Sequence, residues 1–194
     1  MKMSKNRTTL YRIVITGFMA ALVFLGNYLE IRLPSLDTRV HLGNSMPLLA
    51  GLLFGEFIGG FSAGIGAGLF DLLNPLYISS APYTFFSKFA MGFTAGLIKH
   101  RGKNTDSPAV TVIAAVAGQI VYIILYLAKS FVVQLLAGAD IGAALTVVGT
   151  KAVVSGINGA LACVIAVPLY YAISAAIKKT EFGTFVTGKH KTAQ

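Results

Sequence analysis

Five long apolar runs constrain the fold of this chain more than any other feature of its sequence. They lie near residues 13–29, 46–73, 82–98, 109–136 and 143–177. A helix that spans the hydrocarbon core of a bilayer needs about 20 mostly apolar residues. Charged residues make up only 12% of the chain, whereas about a quarter is usual in a soluble domain. The sequence therefore predicts an all-α integral membrane protein.

Clusters of basic residues between the runs indicate how many helices there are. The positive-inside rule places such clusters on the cytoplasmic side. Five helices would put the middle cluster outside, whereas splitting the run 46–73 at GEFIGG gives six helices and puts every cluster inside. We therefore predict a six-transmembrane-helix bundle with both termini cytoplasmic. Because these flanking clusters account for most of the net charge of +9, no nucleic acid partner is predicted. The clusters are Lys2, Lys5, Arg7 and Arg12; Lys99, Arg101 and Lys103; and Lys178, Lys179, Lys189 and Lys191.

A single membrane domain, residues 1–180, is expected to hold all six helices. Residues 181–194 would form a cytoplasmic tail, and residues 30–44 would form a long external loop. The second span is too short to cross a bilayer of about 30 Å as a straight helix, so it must be tilted or sheltered by protein. The predicted spans are 10–29, 45–55, 57–73, 82–99, 108–136 and 142–178.

The stretch GGFSAGIGAGLFD, residues 59–71, is the most glycine-rich part of the chain. Its spacing does not fit a dinucleotide-binding loop, which needs G-x-G-x-x-G between a strand and a helix. Gly60, Gly64 and Gly68 instead lie four residues apart, a pattern that lets helix backbones approach closely in lipid. Two interpretations stay open: the face packs inside the bundle, or it also leaves room for a ligand or a moving partner.

Ionisable residues inside predicted spans mark a candidate binding site, because charge is costly there. Asp71, Lys88, Lys129 and Lys151 all fall in the outer half of the bundle, with Asn158 two turns deeper than Lys151. The cytoplasmic half contains no comparable set, and His100 is expected to be solvated. Lys88 and Lys129 could also extend their amines to the external headgroups, whereas Lys151 lies too deep to do so easily. As a group, three lysines and one aspartate favour an anionic or carbonyl-rich ligand.

Aromatic and polar residues at the same level complete the predicted pocket, whose composition is typical of small-molecule sites. Some follow the third helix, some lie on the fourth and fifth helices, and some lie in the external loop. These candidates are Asn74, Tyr83, Tyr122, Tyr126, Asp37, Arg39, His41 and Asn44.

Catalytic and metal-binding motifs are missing from the sequence. There is no HExxH, no nucleophile elbow and no Ser/His pair within the spans, and the one cysteine, Cys163, is expected to be a small packing residue. We therefore predict no enzyme activity, no metal and no cofactor.

Several segments in order resemble the substrate-binding S components of energy-coupling factor (ECF) vitamin transporters of bacteria and archaea. The resemblance covers about residues 7 to 178, and it rests on the order, size and six-span topology together. The segments are RIVITGFMAAL, VHLGNSMPLLAGLLFG, GGFSAGIGAGLFDLLNP, YTFFSKFAMGFTAGLI and KAVVSGINGALACVIAVPLYYAI.

The resemblance implies a binding subunit of the cell membrane that captures a vitamin near the external face, under the loop 30–44 as a lid. Such subunits dock onto a membrane scaffold subunit that is coupled to two cytoplasmic ATPases. Docking uses an Ala-xxx-Ala face of the first helix, which corresponds here to Gly17 and Ala21, with Ala20 beside them. The subfamily that it most resembles covers riboflavin, hydroxymethylpyrimidine and vitamin B6 carriers.

Two other functions remain as alternatives. One is a self-sufficient secondary carrier or channel for a small polar or anionic solute, which would more often show inverted repeats and broken helices. The other is a membrane enzyme or a structural subunit, and an enzyme would need a nucleophile and a base.

Overall fold

The structure, a computed structural model, describes the backbone of residues 5–33, 38–101 and 107–178. Its side chains are described over 8–30, 41–101 and 107–177, so Asp37, the side chain of Arg39 and the predicted tail lie outside the described residues. Six α-helices occupy the described part: α1 Lys5–Gly26, α2 Ser45–Phe54, α3 Glu56–Leu72, α4 Ala81–Arg101, α5 Pro108–Leu136 and α6 Ile141–Lys178.

Three of these helices are long and apolar enough to cross a membrane. They are Thr8–Gly26 within α1, Pro108–Leu136 and Ile141–Ile177. The all-helical membrane fold predicted from the apolar runs is thus present, while the count of six spans and the direction of the termini stay predictions. The ten residues of α2 reach only about 15 Å at 1.5 Å per residue.

The run 46–73 is divided into two helices, as the charge pattern predicted. Gly55 lies between α2 and α3 with φ +87°, in the region that favours glycine, and its N–H donates to the carbonyl of Gly51 at 3.0 Å. The helices then pack closely: a Cβ on Gly92 of α4 would overlap the backbone of Gly59. Small residues on α2, α3 and α4 therefore bring these three backbones together.

The glycine face of α3 packs inside the bundle. A Cβ on Gly60 would lie 2.9 Å from the ring of Phe89, and one on Gly64 would lie 2.9 Å from the carbonyl of Phe85. The internal-packing interpretation of this stretch is therefore confirmed, because phenylalanines of α4 fill the space over these two glycines. Asp71 is the penultimate residue of the same helix, which ends at Leu72.

The loop that was predicted to be external contains a short antiparallel hairpin, which the all-α prediction did not include. Strand β1 is Glu30–Leu33 and strand β2 is Thr38–His41, with Glu30 opposite His41. Pairing gives backbone N–H and C=O groups partners where the chain returns toward the apolar bundle. The loop that was predicted as a lid thus has regular structure in its described parts.

An apolar core fills the bundle below the level of the predicted pocket. Leu48, Leu52 and Met91 are completely buried there, together with alanines of α4, α5 and α6. This core separates a polar cluster at the predicted external end of the bundle from a second one at the predicted cytoplasmic end.

Candidate functional site

Lys88 of α4 is held inside the bundle. Only 2% of the residue is exposed, its Nζ donates to the Oδ1 of Asn44, and the same Nζ lies 4.3 Å from the ring centroid of Tyr122. Asn44 directly precedes α2, whereas Tyr122 is on α5. Three elements therefore meet at one ammonium, and the alternative in which Lys88 extends to the headgroups is wrong.

The end of the hairpin is tied to α6. The backbone N–H of His41 donates to the Oδ1 of Asn158 at 3.1 Å, across 117 positions of sequence. Both residues are buried. This bond connects the hairpin to the longest helix, so a change at Asn158 acts on the hairpin as well as on the predicted pocket.

Lys151 lies on the same face of α6, seven residues, or about two turns, before Asn158. It is 9% exposed. It was predicted to lie too deep to reach the headgroups easily, and its burial agrees with that. The pocket wall formed by α6 thus carries one amide and one ammonium group.

Asp71 is buried at the end of α3, and its Oδ2 accepts a hydrogen bond of 2.5 Å from the Oγ1 of Thr84 on α4. Sequence reasoning did not single out Thr84, because a threonine in an apolar helix has no distinguishing pattern. Asp71 and Lys151 are both close enough to act electrostatically on Lys129. Lys129 therefore lies within electrostatic range of two of the other three charges predicted at this level.

Lys129 lies at the rim of the pocket and is half-buried. Its Nζ donates to the Oγ of Ser80 at 2.7 Å and lies 5.3 Å from the ring centroid of Tyr83, whose hydroxyl donates to the carbonyl of Leu125. These contacts join the short 3₁₀ turn Ile78–Ser80 to α5 and close one side of the site. Ser80 was also missed by sequence reasoning, for the same reason as Thr84.

Two tyrosines of α5 form a stacked wall. The rings of Tyr122 and Tyr126 have centroids 6.1 Å apart and planes 17° apart. Asn74, by contrast, uses its Oδ1 to accept the N–H of Leu76 at 3.1 Å, so it supports the turn after α3. Tyr126 thus extends the predicted site, whereas the described hydrogen bond of the Asn74 side chain is local.

Buried polar atoms without hydrogen-bond partners among the described residues remain near the hairpin. They include the Nδ2 of Asn44 and the Oγ of its neighbour Ser45, each residue being 1% exposed. Buried polar groups are normally satisfied, so such atoms mark places where a ligand or water binds. Asn44 was predicted as a site residue, and Ser45 was not.

A second polar cluster, at the predicted cytoplasmic end, corrects the sequence analysis. Lys99 was predicted to be a flanking charge on the cytoplasmic side, but it is 3% exposed and its Nζ donates to the Oγ1 of Thr111 at 2.7 Å. The hydroxyl of Tyr171 donates to the same oxygen at 3.0 Å, and the ring centroid of Tyr170 lies 4.8 Å from the ammonium. Aromatic residues of α6 make this burial possible, because they cover a charge that the sequence places at a helix end.

His100, expected to be solvated, has its Nε2 3.0 Å from the carbonyl of Leu52. Burial of the ring is the main cause that lowers the pKa of His100, and the charge of Lys99 also lowers it, while the bond to Leu52 and the charge of Glu56 raise it. Glu56 also pairs with Arg101 at 3.1 Å. The last residues of α4 therefore hold the α2–α3 junction.

The three predicted docking residues of α1 do not share one environment. Gly17 and Ala21 are exposed, and a Cβ on Gly17 would meet nothing within 4 Å. Ala20 is buried, and its carbonyl lies against Gly66 of α3. Ala20 is therefore a packing residue, and only Gly17 and Ala21 lie on an open face of α1.

The fold and the site define a class: a helical membrane protein with a buried, lysine-rich polar cluster at one end of the bundle. The model of one family, ECF-type riboflavin transporter, S component, matches residues 7–175. Since that match covers most of the chain, the chain belongs to this family of transport subunits, which are not enzymes.

Two further proteins are similar to this chain. One is a solved structure described as "Structure and mechanism of the S component of a bacterial ECF transporter"; it has a TM-score of 0.63 and 22% identity, and the match covers 88% of this chain and 99% of that one. The other is an "Uncharacterized protein in gap 3'region" of Pyrococcus woesei, 29% identical over 103 residues, or 53% of this chain and 66% of that protein. The solved structure supports the fold.

Proposed function

We propose that this chain captures a water-soluble vitamin or vitamin precursor on the external side of a bacterial or archaeal cell membrane. The ligand would be riboflavin-like, hydroxymethylpyrimidine-like or pyridoxine-like. The chain would deliver it inward after docking to an energy-coupling module of a scaffold subunit and two ATPases. Family membership and the external polar cluster both support this proposal.

The contacts of Lys88 are the observation that carries the proposal. A buried ammonium beside an amide and over an aromatic ring suits a flat ring system with carbonyl oxygens, because lysine donates up to three hydrogen bonds. The stacked pair of Tyr122 and Tyr126 offers an aromatic surface for such a ring. Riboflavin, with a flat tricycle and carbonyl oxygens, has this chemistry.

The hairpin supports capture at the external end. Its bond from His41 to Asn158 holds the loop over the pocket, and Asn44, just beyond it, contacts Lys88. A ligand that replaces water between these residues would hold the loop closed. Binding and loop closure are therefore expected to be coupled.

The apolar core supports delivery with the help of partners. Leu48, Leu52 and Met91 are fully buried between the external cluster and the Lys99 cluster, so the described bundle offers a polar ligand no continuous polar path. The Lys99 cluster supports the alternative, a self-sufficient carrier or channel, because it would be a second polar site at the other end of the bundle. Such a carrier would have to open this core in order to connect the two clusters.

The open face of α1 is the proposed docking surface for the scaffold. Gly17 and Ala21 are four residues apart, and the space beside Gly17 is empty. Close approach of a second helix is favoured by such small residues.

Purified protein in lipid nanodiscs would test the ligand. Mass spectrometry would identify any co-purified molecule, and riboflavin, hydroxymethylpyrimidine and pyridoxine would be titrated separately. Tight binding of one of them by the chain alone is expected. Liposomes that contain only this chain should show no uptake, whereas adding the scaffold, the ATPases and ATP should produce it. ATP-independent uptake by the chain alone would support the carrier alternative and contradict the proposal.

A further inference from the structure

The rim of the pocket carries two polar side chains that are not fully buried, Lys129 of α5 and Ser80 of the 3₁₀ turn Ile78–Ser80. Both residues are half-buried. The Nζ of Lys129 donates to the Oγ of Ser80 at 2.7 Å, and the hydroxyl hydrogen of Ser80 has no acceptor among the described residues. An ammonium group beside a hydroxyl that can still donate is a suitable pair for binding an anion.

The charge of Lys129 is not balanced by a neighbouring carboxylate. Among the residues whose side chains the structure describes, none forms an ion pair with it. Asp71 and Lys151 act on Lys129 from beyond ion-pair distance, and their effects have opposite signs. An anion at the rim would therefore be attracted by Lys129 itself, with Lys151 as a second cation within electrostatic range.

The apolar core fixes the direction in which a polar tail of a bound ring can point. Tyr122 and Tyr126 offer the aromatic surface for the ring, and Tyr122 also packs against the buried core around Met91. A polar tail directed into this core would lose its hydrogen bonds to water. The tail must therefore run outward along α5, where Lys129 follows Tyr126 by three residues and so lies on the same face.

The spacing along α5 suits a tail of several atoms. Lys129 comes seven residues after Tyr122, which is about 10 Å along the helix axis at 1.5 Å per residue. The ribityl tail of riboflavin is a chain of this order of length. Its terminal hydroxyl is the group that carries the phosphate in riboflavin 5′-phosphate.

We propose that Lys129 and Ser80 bind the phosphate of a phosphorylated ligand, so that the site binds the phosphate monoester of its vitamin more tightly than the vitamin itself. This inference rests on the proposed function, because it assigns the outer end of the same pocket. A phosphomonoester carries a charge of about −1.5 to −2 at pH 7 and three acceptor oxygens. These match one ammonium, one hydroxyl and the nearby charge of Lys151. Because Lys129 is only half-buried, the anion keeps part of its hydration.

Paired titrations of the full chain test the proposal. Riboflavin is compared with riboflavin 5′-phosphate, hydroxymethylpyrimidine with its phosphate, and pyridoxine with pyridoxine 5′-phosphate. The quantity measured is the ratio of the two dissociation constants within a pair, so that a loss common to both ligands cancels. The ester should bind about ten-fold more tightly than its vitamin, because it adds hydrogen bonds to a charged group. This advantage should decline as salt is raised from about 0.05 M to about 0.5 M, since salt screens charges at a rim.

Substitutions locate the phosphate. Lys129→Gln should remove most of the ester's advantage together with its salt dependence, whereas Lys129→Arg should keep both, because a guanidinium also binds phosphate. Ser80→Ala should reduce the advantage about three-fold through loss of one donor. If thermal unfolding shows that Lys129→Gln is not folded, Ser80→Ala and the salt dependence of the unaltered chain decide.

Arg12→Gln is the matched control. It removes a cation from an exposed position of α1 at the predicted cytoplasmic end, so it should leave the ratio of dissociation constants unchanged. A change as large as that of Lys129→Gln would mean that the advantage reflects the net charge of the chain, which would overturn the proposal.

A lipid headgroup is the other source of a phosphate at this level. The titrations are therefore done in a maltoside detergent, which contains no phosphate, and repeated at high salt with added phosphatidylglycerol. The ester's advantage should be the same in both. An advantage that phosphatidylglycerol removes would assign Lys129 to a lipid headgroup and would overturn the proposal.

Two further results would contradict the inference. One is a vitamin that binds as tightly as its ester or more tightly, and the other is an advantage that survives in both Lys129→Gln and Ser80→Ala. Either result leaves the proposed function standing, because the chain still binds a vitamin. A chain that binds neither member of any pair would refute the proposed function and this inference together.

Discussion

Replacing Asn158 by alanine tests the link between the hairpin and α6. The side chain accepts a neutral hydrogen bond, 3.1 Å long, from the backbone N–H of His41. A bond of this kind contributes about 0.5–1.5 kcal/mol net, because water satisfies the freed N–H when the loop opens. Since about 1.4 kcal/mol is ten-fold in an equilibrium constant, Asn158→Ala should weaken ligand binding about two- to thirteen-fold.

The loss should appear mainly in the dissociation rate, because the hairpin must open before the ligand leaves. Most affinity changes at an interface are in dissociation. Stopped-flow measurement of flavin fluorescence, with riboflavin as the probe, gives both rate constants. Asn158→Asp, which keeps an acceptor oxygen beside the lysines, should restore much of the slow dissociation.

Asn74→Ala is the matched control, since it removes an asparagine side chain whose described bond lies within the turn after α3. It should change the dissociation rate less than two-fold. If Asn158→Ala binds and releases riboflavin as the unaltered chain does, the His41 bond does not hold the lid. If only the association rate changes, the bond acts on entry, and the argument from opening is wrong.

Other substitutions test the remaining parts of the argument. Lys151→Ala should weaken riboflavin binding, measured by titration, about ten-fold or more because a charged donor is lost. If both Lys151→Ala and Asn158→Ala bind riboflavin with unchanged affinity, the pocket lies elsewhere. Gly17→Leu should abolish co-purification with the scaffold subunit and spare riboflavin binding, and surviving assembly would remove α1 as the docking face. The lowered pKa of His100 means that the unfolded chain, in which the group titrates near 6.5, binds more protons than the folded one. Its contribution to stability is therefore complete above about pH 6.5 and declines as pH falls below that value. His100→Gln keeps an N–H donor for the carbonyl of Leu52 without titrating, so the melting temperature of this variant should fall less with acid than that of the unaltered chain. Parallel plots of melting temperature against pH for the two proteins would contradict this.

The charges of the external site were predictable because charge is rare in apolar helices. Lys88, Lys151 and Asp71 stand out in such runs, and their burial follows from the cost of exposing charge to lipid. Hydroxyl partners such as Thr84 were not predictable, since serine and threonine are common in membrane helices. The burial of Lys99 was missed because a lysine at a helix end is normally solvated; here Thr111 of α5 and Tyr170 of α6 lie against its ammonium.

The sequence by itself determined the helical membrane fold, the division of the second apolar run and the family. Each depends on local properties: run length, the position of charges and a glycine that can adopt a positive φ at position 55. The tertiary structure alone decided which polar groups meet. His41 and Asn158 are 117 positions apart, and the ammonium of Lys88 on α4 meets Asn44 before α2 and the ring of Tyr122 on α5. Such pairings arise when helices pack, and no spacing along the chain encodes them.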